Sequence, residues 1–223
     1  MNRAVKLLVI AVAILLILAG VEAYIITINS RGEIQTEPIR VACIGDSLTR
    51  GTQYTLDLWH LLGSKYIVGD FGVGGAAIYI ESGKAFINET ACKVAKAFQP
   101  NIVVIMLGTN DADANLNESS AKFISDYTAL VSQFQSLPSK PEVWLVEPPP
   151  IYQNTVDLCG LLLFQKVIPD IKEVADQTGC GLIDANTPLA GHEELFIDGV
   201  HPTNEGAQII AEAVYSALNS VDK

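Results

Sequence analysis

Five short apolar runs, separated by segments of helix length, constrain the fold of this chain more than any other feature. The runs lie at 41–44, 66–68, 102–107, 143–146 and 181–183. Their apolar character is continuous rather than alternating, which indicates strands covered on both faces, as in a parallel sheet. Segments of helix length lie at 54–63, 83–98, 119–136, 157–178 and 204–218. This alternation predicts an α/β fold with right-handed crossovers and a central, mainly five-stranded parallel sheet.

A serine and an Asp–His pair lie at opposite ends of the predicted domain. Ser47, within Gly-Asp-Ser-Leu, directly follows the first run, and Asp198 precedes His201 by three residues. A serine hydroxyl is a poor nucleophile until an imidazole takes its proton, and the imidazole needs a carboxylate to orient it. Side chains three residues apart share one face of a turn, so Asp198 can reach one ring nitrogen of His201 and leave the other for Ser47. The three residues are candidates for a catalytic triad.

Two further motifs supply candidate donors for an oxyanion. The glycines at 72, 74 and 75 let backbone approach a ligand closely, and the amide of Asn110 donates hydrogen bonds without changing charge. Both motifs follow predicted strands, and open α/β sheets bind ligands beyond the carboxyl ends of their strands. We therefore expect them beside the serine on one rim, with Asp46 and Asp111 in support roles through bonds to local backbone.

With these motifs, residues 41–217 resemble the SGNH hydrolases, also called GDSL esterases and lipases. The resemblance implies a three-layer α/β/α, flavodoxin-like fold and a serine esterase that uses no cofactor or metal. It makes Ser47 the nucleophile and completes the triad with Asp198 and His201. It assigns the oxyanion donors to the backbone N–H groups of Ser47 and Gly75 and to the side chain of Asn110.

One position departs from the family pattern, and two stretches suggest a substrate. Asp70 occupies a position where the family usually has Asn, which leaves the support of the glycine loop open. The stretches 71–76 and 195–202 are most similar to the carbohydrate acetylesterase branch. Short connections leave little sequence for a lid or a deep acyl tunnel. We therefore predict hydrolysis of a small acyl ester such as acetyl on a carbohydrate, through an acyl-enzyme; a membrane-tethered lysophospholipase or thioesterase using the same residues is the alternative.

Other interpretations of the single motifs remain open. Gly-Asp-Ser after a strand can be a turn and helix cap, and a glycine loop can cradle a phosphate, although the full G-x-G-x-x-G is missing. A carbohydrate-binding protein without catalysis is a further class. The sequence has no zinc or EF-hand motif, and His60 and His192 are interpreted as surface or packing residues. Tyr152 is either part of a stiff proline-rich connector or a stacking platform for a sugar.

The amino terminus predicts export. Residues 1–28 carry a basic flank and an apolar stretch that Glu22 interrupts. They are either a signal peptide cut near Ala23 or an uncleaved membrane anchor, and we favour the anchor because the apolar stretch continues past the cut. Residues 29–38 are then a polar linker, and 39–223 form a single hydrolase domain outside the cytoplasm.

The net charge and the cysteine content limit the possible partners and covalent modifications of the chain. The net charge is −11 with no basic cluster in the predicted domain, which argues against nucleic acid as a partner and against strongly anionic substrates. The oligomeric state is not indicated. In an oxidising compartment the four cysteines allow three pairings, of which Cys159 with Cys180 is the one to test, whereas Cys43 is expected to be a buried thiol. Asn88 and Asn117 each begin an N-glycosylation sequence.

Overall fold

A computed structural model describes residues 37–116 and 119–220 of the chain, together with positions 2, 17 and 20–22. Pro38–Lys223 forms one compact unit. The predicted signal peptide or anchor at 1–28 and the linker at 29–38 lie almost entirely outside the described residues, as does Asn117. In the part of the chain that is described, no helix is both long enough and apolar enough to cross a bilayer.

The sheet has the five parallel strands that the apolar runs predict. They are β1 Ile39–Gly45, β2 Tyr66–Gly72, β3 Ile102–Met106, β4 Glu142–Glu147 and β5 Gly181–Asp184, in the order β2-β1-β3-β4-β5. Residues 41–44 and 103–107 are fully buried. Because successive side chains of a strand point to opposite faces, complete burial means that both faces of the sheet are covered.

Helices cover the sheet on both faces and confirm the predicted α/β/α layers. One face carries α2 Tyr54–Leu62 and α6 Asn204–Ser220, which pack against each other, and the other carries α3 Thr90–Ala97, α4 Ser120–Gln135 and α5 Ile168–Thr178. A short helix, α1 Ser47–Arg50, connects β1 to the first of these layers. The chain reverses the strand order beside β1, which places the ends of β1, β2 and β3 around one crevice.

Two predicted helices differ from the structure in physically informative ways. The segment 83–98 is α-helical only in α3, because Gly83 has a left-handed φ of +80° and the N–H of the buried Phe86 donates to the carbonyl of Ala77 at 2.9 Å. A single 3-10 turn at Phe86–Asn88 precedes α3. The segment 157–178 becomes helical at Gly160, because Asp157 has φ +59°. An α-helical turn at Gly160–Leu162 then leads through a π-helical turn at Leu163–Val167 into α5. The four-residue helix α1 was not among the predicted helical segments.

Candidate active site

Ser47 is the first residue of the turn that follows β1. Asp46 caps this turn, because its Oδ1 accepts the N–H of Leu48 at 2.8 Å. The backbone of Gly45 is bonded to the glycine loop, since its carbonyl accepts the N–H of Val73 at 3.0 Å. The serine therefore sits on a fixed strand-to-helix corner beside that loop.

His201 reaches the serine from the segment that precedes α6. Its Nε2 lies 2.8 Å from Ser47 Oγ, and its Nδ1 lies 2.7 Å from Asp198 Oδ2. The second oxygen of Asp198 accepts the backbone N–H groups of Val200 and His201 at 3.0 and 2.8 Å. The turn thus orients the carboxylate with its own backbone, and the imidazole contacts a serine 154 positions away in the sequence.

The charge state of Asp198 follows from these bonds. Partial burial opposes ionisation, but the bonds from the N–H and side chain of His201 and from the N–H of Val200 outweigh it and lower the pKa of Asp198. An ionised Asp198 accepts a hydrogen bond from the Nδ1–H group of His201, which holds the tautomer whose Nε2 is unprotonated and faces the serine hydroxyl.

The three predicted oxyanion donors lie around one cleft. Within residues 37–116 and 119–220, the backbone N–H groups of Ser47 and Gly75 have no hydrogen-bond acceptor. Gly75 has φ +74°, a conformation that glycine adopts without strain. The side-chain amide of Asn110, in contrast, already donates to Asp46 Oδ2 at 3.1 Å and to the carbonyl of Ala76 at 2.9 Å.

Two buried carboxylates support the rim. Asp46 does so through local backbone as predicted, whereas Asp111 bonds backbone 32 and 33 positions away. Asp111 accepts the N–H groups of Ile78 and Tyr79 at 3.0 and 2.9 Å, which fixes the chain just after the glycine loop. Burial raises the pKa of Asp111 to about 6 against these bonds. Burial likewise raises the pKa of Asp46 to about 7, opposed by the Leu48 N–H bond and reinforced by the charge of Asp111.

Asp70 supports the glycine loop although it replaces the usual Asn. Its Oδ1 accepts the N–H of Gly72 at 2.8 Å. A carboxylate can make this bond as well as an amide oxygen can, so the departure from the family pattern leaves the loop anchored.

An open cleft of about 410 Å³ contains the serine and the imidazole. Four of its lining residues are predicted from the sequence: Ser47, Gly75, Asn110 and His201. Two charged lining residues, Lys84 and Asp113, were not predicted, nor was the apolar wall formed by Leu116, Val156 and Leu158. No local pattern marks these positions, because they come from loops that only the folded chain brings together.

Several other predicted features lie away from this cleft. Tyr152 is half-buried against Phe196, its hydroxyl donates to the carbonyl of Leu189 at 2.7 Å, and it does not line the cleft. Its contacts are those expected of the connector, and it lines a separate cavity with Asn154 and Leu158. His60 and His192 are exposed, and His192 Nδ1 lies 2.9 Å from Glu194.

Disulfides and metal sites were considered in the sequence, and the described residues bear on both. All four cysteines are free thiols, so the pairing of Cys159 with Cys180 is wrong, and Cys43 is buried as expected. No group of three or more His, Cys, Asp or Glu side chains in the described ranges is arranged to hold a metal ion.

Known proteins share sequence similarity with this chain. Residues 43–209 match the model of the GDSL-like lipase/acylhydrolase family. A protein of Xylanibacter ruminicola named acetylxylan esterase is 29% identical over 208 residues, which are 82% of this chain and 43% of that protein. The chain thus spans less than half the length of that curated relative.

Solved structures share the fold. An acetyl xylan esterase structure superposes with a TM-score of 0.66 at 23% identity, over 81% of this chain and all of the other. A carbohydrate acetylesterase family member from Sinorhizobium meliloti superposes with a TM-score of 0.64 at 21% identity, over 82% of this chain and 98% of the other.

Proposed function

Because the chain belongs to the GDSL-like lipase/acylhydrolase family, we propose that it is a serine esterase that removes small acyl groups, acetyl above all, from carbohydrates. The observation that carries the proposal is the continuous contact from Asp198 through His201 to Ser47, with heavy-atom separations of 2.7 and 2.8 Å. A turn-and-cap role for Gly-Asp-Ser would not require an imidazole at the hydroxyl.

Acylation begins at the serine hydroxyl. Ser47 Oγ attacks the ester carbonyl carbon while Nε2 of His201 accepts the hydroxyl proton. Asp198 stabilises the imidazolium that forms. Collapse of the tetrahedral intermediate breaks the bond to the alcohol oxygen, which takes the proton from Nε2 and leaves as the free sugar hydroxyl.

Deacylation repeats these steps with water as the nucleophile. His201 takes a proton from water, the hydroxide adds to the acyl carbon, and Ser47 Oγ leaves with the proton returned, so that acetic acid is released. In both halves the negative charge on the carbonyl oxygen faces the free N–H groups of Ser47 and Gly75. Each donor of this kind typically contributes about 3 kcal/mol to lowering the barrier.

A carbohydrate acetyl ester is the substrate best supported by the cleft. The opening is wide, with Ser82 and Asp113 as additional polar lining residues, so a bulky hydroxylated alcohol can approach while a small acyl group turns toward the serine. The acetylxylan esterase named above supports the same substrate class.

A longer acyl group is the second candidate, favoured by one observation. Val156 is 54% exposed in the wall of the cleft, and Leu116 is shared with a neighbouring cavity lined by Leu161 and Leu162. Exposed apolar side chains in a continuous strip suit an acyl chain. A lysophospholipase or thioesterase would use this strip, whereas an acetylesterase would not need it.

We also propose that the catalytic domain is exported and either tethered by residues 1–28 or released by cleavage near Ala23. The basic flank and the apolar stretch of this segment support the proposal. Mass spectrometry of the mature protein tests it: a chain that begins at Tyr24 supports cleavage, and an intact first segment in the membrane fraction supports the anchor.

Comparison of acetyl and long-chain esters on the full-length protein tests the activity. We expect acetylated xylo-oligosaccharides and p-nitrophenyl acetate to be hydrolysed much faster than p-nitrophenyl palmitate. The variant Ser47→Ala should lose several orders of magnitude in kcat while it keeps the circular dichroism spectrum of the wild type. Retained turnover in that variant would falsify the mechanism, and a preference for palmitate would replace the carbohydrate substrate with a lipid one.

A further inference from the structure

Lys84 is the cation of the cleft that the proposed mechanism leaves without a role. Among the described residues that line the cleft, it is the single lysine or arginine. Its backbone is held against the far side of the glycine loop: its carbonyl accepts the N–H of Ala77 at 3.1 Å, and its N–H donates to Ser82 Oγ at 3.2 Å. The attachment point of the side chain is therefore fixed.

The ammonium group lies next to the second oxyanion donor. Lys84 Nζ is 3.5 Å from the point where a Cβ would stand on Gly75, which places it within about 5 Å of Gly75 Cα when a bond length of about 1.5 Å is added. In the described part of the chain, the ion pairs of lysine involve Lys122 and Lys172, and Lys84 has no carboxylate within bonding distance. Its charge is free to act on the cleft.

Acidic residues near the cleft make a positive charge there useful. The protein carries a net charge of −11, and acidic residues lie in and beside the cleft, of which Asp113 is a lining residue. Asp46 shares the amide of Asn110, and Asp198 bonds the imidazole. A negative charge that develops on a substrate oxygen is repelled by such groups, and a nearby cation offsets the repulsion.

We propose that Lys84 supplies the positive charge that stabilises the oxyanion at Gly75, an inference that rests on the proposed esterase function. The ester is neutral in the ground state and its carbonyl oxygen becomes negative in the transition state, so the ammonium interacts mainly with the transition state. Lys84 therefore raises kcat with little effect on KM.

Neutralising Lys84 tests the proposal on a neutral substrate. Since Nζ is within about 5 Å of Gly75 Cα, an oxyanion bonded to the Gly75 N–H lies at most about 9 Å from the ammonium. For a unit charge about 6 to 9 Å away at effective dielectric constants of about 40 to 80, we expect kcat of Lys84→Met on p-nitrophenyl acetate to fall about two- to tenfold at low ionic strength. KM should be unchanged, and the deficit should shrink as salt screens the charge. Lys84→Arg should retain most of kcat. Lys93→Met, an exposed lysine of α3 that does not line the cleft, changes the net charge equally and should behave as wild type.

A second measurement does not depend on turnover. Phenylboronic acid is neutral in solution and forms a tetrahedral anion on an active serine, so calorimetry should show several-fold weaker binding to Lys84→Met than to Lys93→Met. Unchanged kcat and unchanged boronate affinity overturn the proposal. A loss confined to KM of acidic esters also overturns it, because Lys84 would then bind an anionic substituent. If the wild-type protein neither hydrolyses esters nor reacts with a fluorophosphonate at Ser47, the esterase function itself fails and this inference falls with it.

Discussion

The side-chain amide of Asn110 donates a hydrogen bond to Asp46 Oδ2 at 3.1 Å, so a buried carboxylate orients a predicted oxyanion donor. The same nitrogen donates to the carbonyl of Ala76 at 2.9 Å, which engages both amide hydrogens. An oxyanion at Ser47 must therefore displace one of these two acceptors to receive a hydrogen bond from the amide. The bond to Asp46 ties the corner that carries the serine to the segment after β3, so the nucleophile and the donor are positioned together.

Removal of the Asn110 amide should reduce catalysis more than it reduces binding. We expect kcat of Asn110→Ala to fall about 10²- to 10³-fold, because one oxyanion donor is lost, with a small change in KM. The free energy of unfolding should fall by about 1 to 3 kcal/mol, because a buried oxygen of Asp46 loses its donor. Steady-state kinetics and urea denaturation measure the two effects separately.

Asn186→Ala is the control for this prediction. The half-buried amide of Asn186 also donates to a backbone carbonyl, that of Pro148 at 2.8 Å, and Asn186 does not line the serine cleft. It should leave kcat within a factor of two. If Asn110→Ala also kept wild-type kcat, the two backbone N–H groups would form the oxyanion site alone.

Replacement of Asp198 should disable the imidazole while the turn stays folded. In Asp198→Asn the side-chain oxygen can still accept the N–H groups of Val200 and His201, but the NH2 group then faces Nδ1 and donates a hydrogen bond to it instead of accepting one. The wrong tautomer then faces Ser47, and we expect kcat to fall about 10⁴-fold. Reaction of Ser47 with a fluorophosphonate should slow in parallel.

Asp184→Asn provides a matched control. Asp184 Oδ1 also accepts N–H groups two and three residues ahead, from Asn186 and Thr187, but Asp184 contacts no imidazole. Equal losses of activity in the two variants would mean that the turn, rather than the Asp198–His201 contact, carries the effect.

The parts of this molecule that sequence predicts well are those that local patterns encode. The strands follow from continuous apolar runs, and the Asp198–His201 contact follows from a spacing of three residues within one turn. The 154-residue separation between Ser47 and His201 is bridged because the sheet brings strand ends to one rim. The assignment of catalytic roles to these residues stays a prediction.

The parts that sequence missed depend on distant contacts. Val156 and Leu158 reach the cleft because the side chain of Asn154 accepts their N–H groups and also donates to the carbonyls of Tyr152 and Leu158. The chain around residue 80 follows Asp126, whose Oδ2 accepts the N–H of Ile80. No short window contains both partners of the bond to Ile80, so helix periodicity at 83–98 was a poor guide to this region.

The buried Asp46 should make stability depend on pH. Burial raises its pKa from 3.8 to about 7, so the folded state binds a proton more tightly than the unfolded state does. The resulting stability is fully present below about pH 4 and is lost as the pH rises through about 7. Between pH 5 and pH 8, the deprotonation of Asp46 alone should lower the free energy of unfolding by about 2 to 3 kcal/mol.

Urea denaturation of wild type and Asp46→Asn at several pH values measures this effect. Because Asn does not titrate, the free energy of unfolding of the variant should fall by about 2 to 3 kcal/mol less than that of the wild type between pH 5 and pH 8. Comparing how steeply the free energy of unfolding changes with pH in the two proteins removes the constant cost of the substitution. The pKa of Asp111 is also raised, but less. Asp111→Asn should therefore reduce the pH dependence of the free energy of unfolding by a smaller amount than Asp46→Asn does. Parallel profiles for all three proteins would show that both carboxylates stay ionised when buried.

Gly75→Ala should separate the strain of the glycine loop from its part in catalysis. The substitution forces an alanine to φ +74°, so we expect a loss of about 1 kcal/mol in the free energy of unfolding. It also puts the new Cβ 3.5 Å from Lys84 Nζ. Because the backbone N–H and the ammonium then shift, kcat should fall tenfold or more. Gly179→Ala is the control, because Gly179 has φ +68° with nothing within 4 Å of its Cβ position and ends α5 far along the chain. It should lose similar stability and no activity. A Gly75→Ala protein with wild-type kcat would show that the backbone N–H at this position does not contact the oxyanion.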